Sequence, residues 1–140
     1  MWFSRKQGAT EPAPNLPKQV TTKSRGDAAE SAALACLVRG GLKFVEANYR
    51  TPGRGGGEID LIMRASDGTL VFVEVRQRSY ATHGGAAASI GSVKQRRIIF
   101  AARHYLMRFA SPPPCRFDVV LLQGAAPAQV EWLVAAFDAS

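Results

Sequence analysis

Two short segments of the sequence carry carboxylates where the neighbouring residues suit buried strands. Glu58 and Asp60 lie in EIDLIMR, and Glu74 lies in LVFVEVRQR. If these segments pair as a hairpin around Ser66-Asp67-Gly68, Asp60 faces Glu74 across the two strands. Opposed carboxylates with Cβ atoms roughly 5 Å apart repel each other unless a cation lies between them. Mg²⁺ suits such a place, because it takes oxygen ligands and commonly uses one or two protein carboxylates.

The register of this hairpin can be chosen from side-chain alternation. A three-residue loop with Gly68 in the left-handed position of a type I turn plus bulge keeps apolar and charged residues apart. A two-residue Asp67-Gly68 loop would mix them on both faces, because a slip of one residue turns every side chain over. We therefore predict one apolar face formed by Ile59, Leu61, Met63, Val71, Val73 and Val75. The opposite face carries a charged end and an apolar end near the turn, formed respectively by Glu58, Asp60, Glu74, Arg76 and Arg78 and by Ile62, Leu70 and Phe72.

A lattice of structural ion pairs is an alternative explanation of these carboxylates. In the same register Glu58 would face Arg76, and the other acids of the hairpin could pair with Arg50 or Arg78. Such pairs are common at protein surfaces and contribute little to stability. Spacing alone leaves the metal site and the ion-pair lattice both open.

Glu30 is a further acid, and its predicted position is one where the carboxylate needs a partner. It shares one stripe of the first predicted helix with Asp27, Leu34 and Leu37, so it points along the face that should pack on the sheet. The alternative is a solvated glutamate near a helix start, where the helix dipole favours a negative charge.

The remaining sequence predicts the elements that position these side chains. A helix starts with Ser24 as its N-cap and ends at Gly40-Gly41. The segment LKFVEANYR follows as a strand, and TPGRGGG is typical of a mobile loop. A second helix opens at Ser92 with Gln95 in the capping-box position, and its inward stripe consists of Ile98, Ala102, Tyr105, Leu106 and Phe109. After SPPP, the segments CRFDVVLLQ and VEWLVAAF complete an α/β fold in the order α-β-β-β-α-β-β, as one domain over residues 24–137.

Basic residues cluster where they favour a polyanionic partner. The net charge is +7. Lys94, Arg96 and Arg97 crowd the first turns of the second helix, where cations oppose the helix dipole. A bound phosphate would compensate that cost, and a merely solvated basic face is the alternative. Arg50 and Arg54 lie beside the glycine loop, which lacks the Gly-Lys-Ser/Thr of a nucleotide-binding P-loop and is expected to form a flexible rim.

Length and composition limit the other classes of protein. The chain has 140 residues, of which 46% are hydrophobic, enough for one domain with a substantial core. No apolar run reaches the ~18 residues of a membrane span, and residues 1–23 are typical of a disordered basic leader without a secretory signal. Cys36 and Cys115 lack metal-binding spacing, so we expect buried thiols, no zinc and a cytoplasmic protein. His83 and His104 are expected to be neither ligands nor bases.

Several motifs taken together resemble a known family. The segments RGDAAE at 25–30, NYR at 48–50, GEIDLI at 57–62, VFVEVRQR at 71–78, VKQRR at 93–97 and RFDVV at 116–120 are similar to the YraN-type family. That family is related to Holliday-junction resolvases within the PD-(D/E)XK, restriction-endonuclease-like superfamily. The resemblance runs from about Arg25 to Val120. It implies a restriction-endonuclease-like single domain, with a mixed central sheet flanked by helices.

The resemblance also implies roles for individual residues. Asp60 and Glu74 would hold Mg²⁺ or Mn²⁺, and Glu30 would contact the metal through water. Arg76 stands where the family motif normally has lysine. Arginine supplies positive charge, but it cannot accept a proton. Lys94 could replace that lysine in space, so that Arg76 and Lys94 together stabilise the charged transition state.

The implied activity is hydrolysis of DNA phosphodiesters, with branched or structured DNA as the substrate by analogy. Cutting two strands of a junction would suit a homodimer. Two alternatives remain: a DNA-binding module of the same fold whose chemistry is impaired by Arg76, and, more weakly, an adaptor whose basic surface meets an acidic protein. The residues expected to contact DNA are Arg50, Arg54, Arg78, Lys94, Arg96 and Arg97.

Overall fold

The structure is a computed structural model that describes residues 22–78, 90–124 and 129–139. Most of the predicted leader and all of the segment containing His83 lie outside the described residues. Within these described ranges, two helices and five strands follow one another. They are α1 (Thr22–Arg39), β1 (Lys43–Arg50), β2 (Glu58–Arg64), β3 (Leu70–Arg78), α2 (Ser92–Leu106), β4 (Cys115–Gln123) and β5 (Gln129–Phe137).

The five strands form one mixed sheet in the order β1-β2-β3-β4-β5. β3 and β4 are parallel, and α2 lies between them in sequence as the crossover. The other neighbouring strands are antiparallel. This confirms the predicted α/β class and the order α-β-β-β-α-β-β, which is consistent with a restriction-endonuclease-like single domain. None of the helices in the described part is long and apolar enough to cross a membrane.

The β2–β3 hairpin has the predicted register. Leu61 pairs with Val73, and Met63 pairs with Val71. Gly68 has a φ of 93°, as the left-handed position of the three-residue loop requires. The Asp67 side chain stabilises the turn, because its Oδ1 accepts a hydrogen bond of 3.0 Å from the backbone N–H of Thr69.

Each face of the sheet carries an apolar cluster covered by one helix. α1 packs against the predicted apolar face of the hairpin through Ala29, Ala33 and Leu37, among others. α2 covers the opposite face with the buried part of its predicted stripe, where Ile98, Ala102 and Tyr105 meet Ile62, Leu70, Phe72 and Phe117. Ile59 departs from the prediction, because it packs with its partner Tyr49 in the α2 cluster. The positive φ of Asn48, 55°, interrupts side-chain alternation beside this pair.

Three local predictions were wrong. α1 begins at Thr22, so Ser24 lies inside the helix and does not cap it. Gly91, not Ser92, occupies the N-cap of α2, and Gln95 Nε2 donates to the carbonyl oxygen of Ile90 at 2.8 Å. The thiols are not buried: Cys36 is half-buried and Cys115 is exposed. Neither cysteine belongs to the two apolar clusters, and Cys115 is the first residue of β4.

Asp118 joins the last strand to the sheet. Its carboxylate is fully buried and accepts hydrogen bonds from Arg116, from Trp132 Nε1 at 2.9 Å and from the backbone N–H of Ala135 at 2.9 Å. Ala135 has a φ of 52°, and this irregular backbone directs its N–H toward the carboxylate. A buried charge satisfied by several donors is costly to remove, because every donor is left without a partner.

We predict that Asp118→Ala lowers the free energy of unfolding by roughly 3 kcal/mol. Asp138→Ala is the matched control, since Asp138 is exposed and its loss should change stability by less than about 0.5 kcal/mol. Urea unfolding followed by circular dichroism measures both values. Equal stability of the two variants would contradict this role for Asp118.

Candidate metal centre and nucleic-acid interface

Asp60 and Glu74 lie at the ends of the paired region of β2 and β3. The register continued by one residue beyond Leu61 and Val73 places them opposite each other. Glu74 is 7% exposed, and Asp60 is half-buried. Asp60 Oδ2 accepts a hydrogen bond of 2.8 Å from the backbone N–H of Val75, which fixes the carboxylate against β3.

The two carboxyl groups lie close together and are largely shielded from solvent, and the pKa of each is raised. Burial, and after it the negative charge of Asp60, raises the pKa of Glu74 to about 7. Burial also raises the pKa of Asp60, although the hydrogen bonds from Val75 and Glu74 oppose that shift. Near neutral pH Glu74 therefore holds a proton in part of the molecules and donates it toward Asp60. A cation that binds both carboxylates would replace this proton.

Lys94 is the nearest cation in the described part of the chain. Its Nζ lies 3.6 Å from Glu74 Oε2, across the space between α2 and β3. The ammonium lowers the pKa of Glu74 and of Asp60. The contact joins residues 20 positions apart, and the replacement of the motif lysine by Lys94 stays a prediction.

The ion pairs differ from those expected in the alternative explanation. Glu58 Oε1 lies 3.7 Å from Arg50 Nε, so Glu58 pairs across β1–β2 and not with Arg76. Arg76 is half-buried and close enough to lower the pKa of Glu74 by its charge. Arg78 ends β3, but its side chain lies outside the described residues.

Glu30 approaches the pair from α1. Burial raises its pKa, and the charge of Asp60 raises it further, whereas a 3.2 Å hydrogen bond from Asn48 Nδ2 to Glu30 Oε1 lowers it. Within the described ranges, no three His, Cys, Asp or Glu side chains converge closely enough to hold one metal ion. The structure thus presents a two-carboxylate site with Glu30 at its margin, and contact through water stays a prediction.

Asn48 is a member of this margin that the sequence analysis missed. It lies in β1 between residues paired with Ile59 and Leu61, opposite Asp60, and its φ is 55°. Asparagine tolerates this left-handed conformation better than most residues. An asparagine inside a strand was the available signal, but the sequence could not show that it would meet Glu30.

The glycine loop between β1 and β2 is tied at its neck. Thr51 N–H donates to the carbonyl oxygen of Gly57 at 3.0 Å, and Gly57 N–H donates to Thr51 Oγ1 at 2.7 Å. A Cβ on Gly57 would lie 1.9 Å from the carbonyl oxygen of Arg97, so this end of the loop touches the backbone of α2. The prediction of a mobile rim is wrong for the neck, which is fixed by close contact and hydrogen bonds.

A pocket of about 320 Å³ lies between this loop and α2. Beside the loop residues, its walls are formed by Arg50, Glu58, Lys94 and Arg97. Arg50, Lys94 and Arg97, three of the six predicted DNA contacts, therefore line this pocket. Lys94 also contacts Glu74, so the pocket adjoins the carboxylate pair. Of the others, Arg54 is an exposed loop residue and Arg96 lines a separate cavity of about 420 Å³, while the side chain of Arg78 lies outside the described residues.

His104 lies apart from these residues. Its Nδ1 is hydrogen-bonded to Tyr49 Oη, and the two rings lie 6.1 Å apart between centroids. Arg108 stacks over the neighbouring Tyr105 ring, 3.7 Å from its centroid. This arrangement stabilises the junction of β1 with α2 and holds His104 there.

Comparison with known proteins assigns the chain to a family. The model described as "Uncharacterised protein family UPF0102" matches residues 29–122, which include the carboxylate pair, Arg76 and Lys94. This chain belongs to the UPF0102 family. UPF0102 proteins of Polaromonas naphthalenivorans (strain CJ2) and Polaromonas sp. (strain JS666) are each 72% identical to it over the full length of both chains. A UPF0102 protein of Albidiferax ferrireducens is 66% identical, covering 90% of this chain and 97% of its own.

Membership of UPF0102 confirms the predicted YraN-type family at that level. The matched segment begins one residue before Glu30 and ends within β4, so it contains every residue of the candidate metal centre. The names of these relatives state no activity.

The raised pKa of Glu74 predicts a pH dependence of stability in the metal-free protein. Its ordinary value is 4.5, so folding takes up a proton between about pH 4.5 and 7, and the stability that this group contributes at low pH is lost as pH rises through 7. Glu74→Gln should remove that loss, which is roughly 2–3 kcal/mol. The measurement is the free energy of unfolding of wild type minus variant at pH 5 and pH 8. Exposed Glu131→Gln is the control, and a wild-type difference that does not change with pH would refute the assignment.

The contact between Gly57 and Arg97 predicts a second stability effect. Gly57→Ala should lower the free energy of unfolding by about 2 kcal/mol or more, because the methyl group meets a backbone oxygen that cannot rotate away. Gly26→Ala is the matched control: nothing lies within 4 Å of its added methyl, and alanine within helix α1 should stabilise by about 0.5 kcal/mol. Thermal unfolding of both variants shows whether the signs differ as expected.

Proposed function

We propose that this UPF0102 protein is a metal-dependent endonuclease-like protein that hydrolyses DNA phosphodiesters. The observation that carries the proposal is the pair of facing carboxylates, buried Glu74 and half-buried Asp60, adjoining a pocket whose walls hold Arg50, Lys94 and Arg97. An acid pair suits a divalent cation, and a basic wall suits phosphate. The combination on β2, β3 and α2 supports the relationship to the PD-(D/E)XK superfamily that the motifs imply.

The donor set fits Mg²⁺ or Mn²⁺. Both ions prefer oxygen ligands and are held well by one or two carboxylates together with water. The pKa values of Asp60 and Glu74 are raised because their negative charges are buried together with incomplete compensation. A divalent cation would supply that compensation. Lys94 now supplies part of it, so the metal and the ammonium would compete for Glu74.

In this site Mg²⁺ or Mn²⁺, when bound, would lower the pKa of a water and stabilise negative charge on phosphate. Val75 N–H holds Oδ2 of Asp60, so the carboxylate that would hold the metal is fixed against β3. Lys94 and Arg76 provide positive charge near the position of the phosphate. Arg76, as an arginine, can stabilise charge but cannot act as a base. Glu30, held by Asn48, is placed to orient a water at the margin.

DNA is the proposed polyanion because the basic residues converge beside the acids and the chain carries a net charge of +7. Branched or structured DNA is the preferred substrate in this proposal, by the resemblance to junction resolvases. A homodimer would place two such centres on the two strands of a junction. Arg54, Arg78 and Arg96 would extend the contact beyond the pocket.

A DNA-binding module with impaired chemistry is the second candidate. Two observations favour it: arginine stands where the motif normally has lysine, and Lys94 already forms an ion pair with a metal-ligand candidate. In such a protein the acids would contribute little to DNA affinity, and binding would follow the basic residues alone.

We expect metal-dependent cleavage of a labelled four-way junction, a flap or a plain duplex by the wild-type protein with Mg²⁺ or Mn²⁺. Glu74→Gln should reduce the cleavage rate at least about 100-fold, since it removes one of two metal ligands. Glu131→Gln, an exposed glutamate on β5, should leave the rate unchanged. Mn²⁺ binding, measured by electron paramagnetic resonance, should weaken in Glu74→Gln but not in Glu131→Gln.

Arg76→Lys separates the two candidates. If wild type binds DNA without cutting and Arg76→Lys cuts, the centre is intact and arginine impairs it. If neither protein cuts any substrate and Mn²⁺ binding is the same in wild type and Glu74→Gln, the nuclease proposal fails. The DNA-binding module then becomes the function to test.

A further inference from the structure

The pocket between the glycine loop and α2 has features that the carboxylate pair does not require. We propose that it is a positioning subsite for one nucleotide of the substrate strand, whose phosphate is held by Arg97 and Arg50 next to the cleavage position. This inference rests on the proposed function for its substrate, but the pocket itself can be tested without cleavage.

The charges of the pocket walls support an anion. Arg97 is exposed, and no side-chain hydrogen bond or ion pair engages it among the residues described. Lys94 is held by Glu74, and Arg50 forms only a loose pair with Glu58, in which the arginine side chain is 73% exposed. Arg97 is thus the cation with its charge fully available, and Arg50 can turn to a phosphate at little cost.

The size of the pocket supports a single nucleotide as its ligand. A volume of about 320 Å³ lies at the lower end of small-molecule sites, which span roughly 300–1,000 Å³. One side is formed by Gly53, Gly55, Gly56 and Gly57, so backbone without side chains faces the ligand. The Thr51–Gly57 hydrogen bonds and the Gly57 contact with α2 preserve this wall before a ligand arrives.

Lys94 places the pocket beside the proposed chemistry. Its side chain lines the pocket and reaches Glu74, so a nucleotide in the pocket is adjacent to the position of the scissile phosphate. Arg97 lies three residues further along α2, on the same face one turn away. Successive phosphates of one strand would then contact successive turns of the helix.

Glu58 gives the proposal a test of opposite sign. It is the acid of the pocket wall, 40% exposed, and it both repels phosphate and pairs with Arg50. Removing its charge should release Arg50 and strengthen phosphate binding. Removing the charge of Arg97 should weaken it. If phosphate were attracted only by unspecific positive charge, loss of any one basic residue would weaken binding equally, wherever that residue lies.

The experiment is a titration of the full chain with thymidine 5′-monophosphate in the presence of a chelator, followed by the backbone amide signals of the pocket glycines. Thymidine is the uncharged control ligand, and inorganic phosphate tests whether the phosphate alone is sufficient. We expect saturable shifts at Gly53, Gly55, Gly56 or Gly57 with the nucleotide and none with thymidine. Arg97→Gln should weaken binding about tenfold, and Glu58→Gln should strengthen it about threefold.

Arg103→Gln is the matched control, because it removes the same charge from an exposed position of α2 that lines the other cavity. It should change the affinity less than twofold. Equal weakening by Arg97→Gln and Arg103→Gln, or glycine signals that do not move, would overturn the proposal. Circular dichroism of each variant checks that the fold is kept.

Cleavage, where it occurs, gives a second readout. Arg97→Gln should raise the KM for DNA about tenfold and leave kcat within about threefold, as expected for a positioning residue. A fall in kcat with KM unchanged would contradict the subsite. If the wild-type protein cuts no substrate, the titration still decides the pocket, so the nuclease proposal and this inference fail separately.

Discussion

The register of the β2–β3 hairpin is the constraint on which the candidate site depends. Buried apolar residues on both faces hold this register, because a slip of one residue would expose Leu61 and Val73 and bury charges in their place. Two carboxylates repel each other at short range, and isolated strands would move them apart. Here the packing of α1 and α2 on the two faces opposes that repulsion, so Asp60 and Glu74 remain together.

The helices do more than cover the sheet. α1 brings Glu30 toward the pair, and α2 brings Lys94 and Arg97 to its other side. The contact of Gly57 with α2 links the loop, the pocket and the ion pair of Lys94 mechanically. A shift of α2 along the sheet would therefore change the compensation of Glu74 and the width of the pocket together.

The sequence predicted those features that follow from local patterns. Alternation and turn chemistry were sufficient for the hairpin register, and the bounds of β4 were predicted from its apolar run. Contacts between distant segments were not accessible in this way. The pairing of Glu58 with Arg50, the meeting of Asn48 with Glu30 and the fit of Gly57 against Arg97 depend on how β1 and α2 are placed. The serine cap predicted for α2 was wrong, because serine is favoured at an N-cap but glycine is also accepted there. At α1 the helix begins before the predicted cap, at Thr22.

Asp118 has a consequence for how this family should be divided into units. The family match ends at residue 122, within β4, whereas the donors to the Asp118 carboxylate include Trp132 and Ala135 of β5. The family match is thus shorter than the folded sheet, whose last strand lies beyond residue 122. A fragment cut at the end of the match would carry a buried carboxylate stripped of two donors and a sheet with a new open edge. The family match and the folded sheet therefore end at different residues, and β5 belongs to the folded unit.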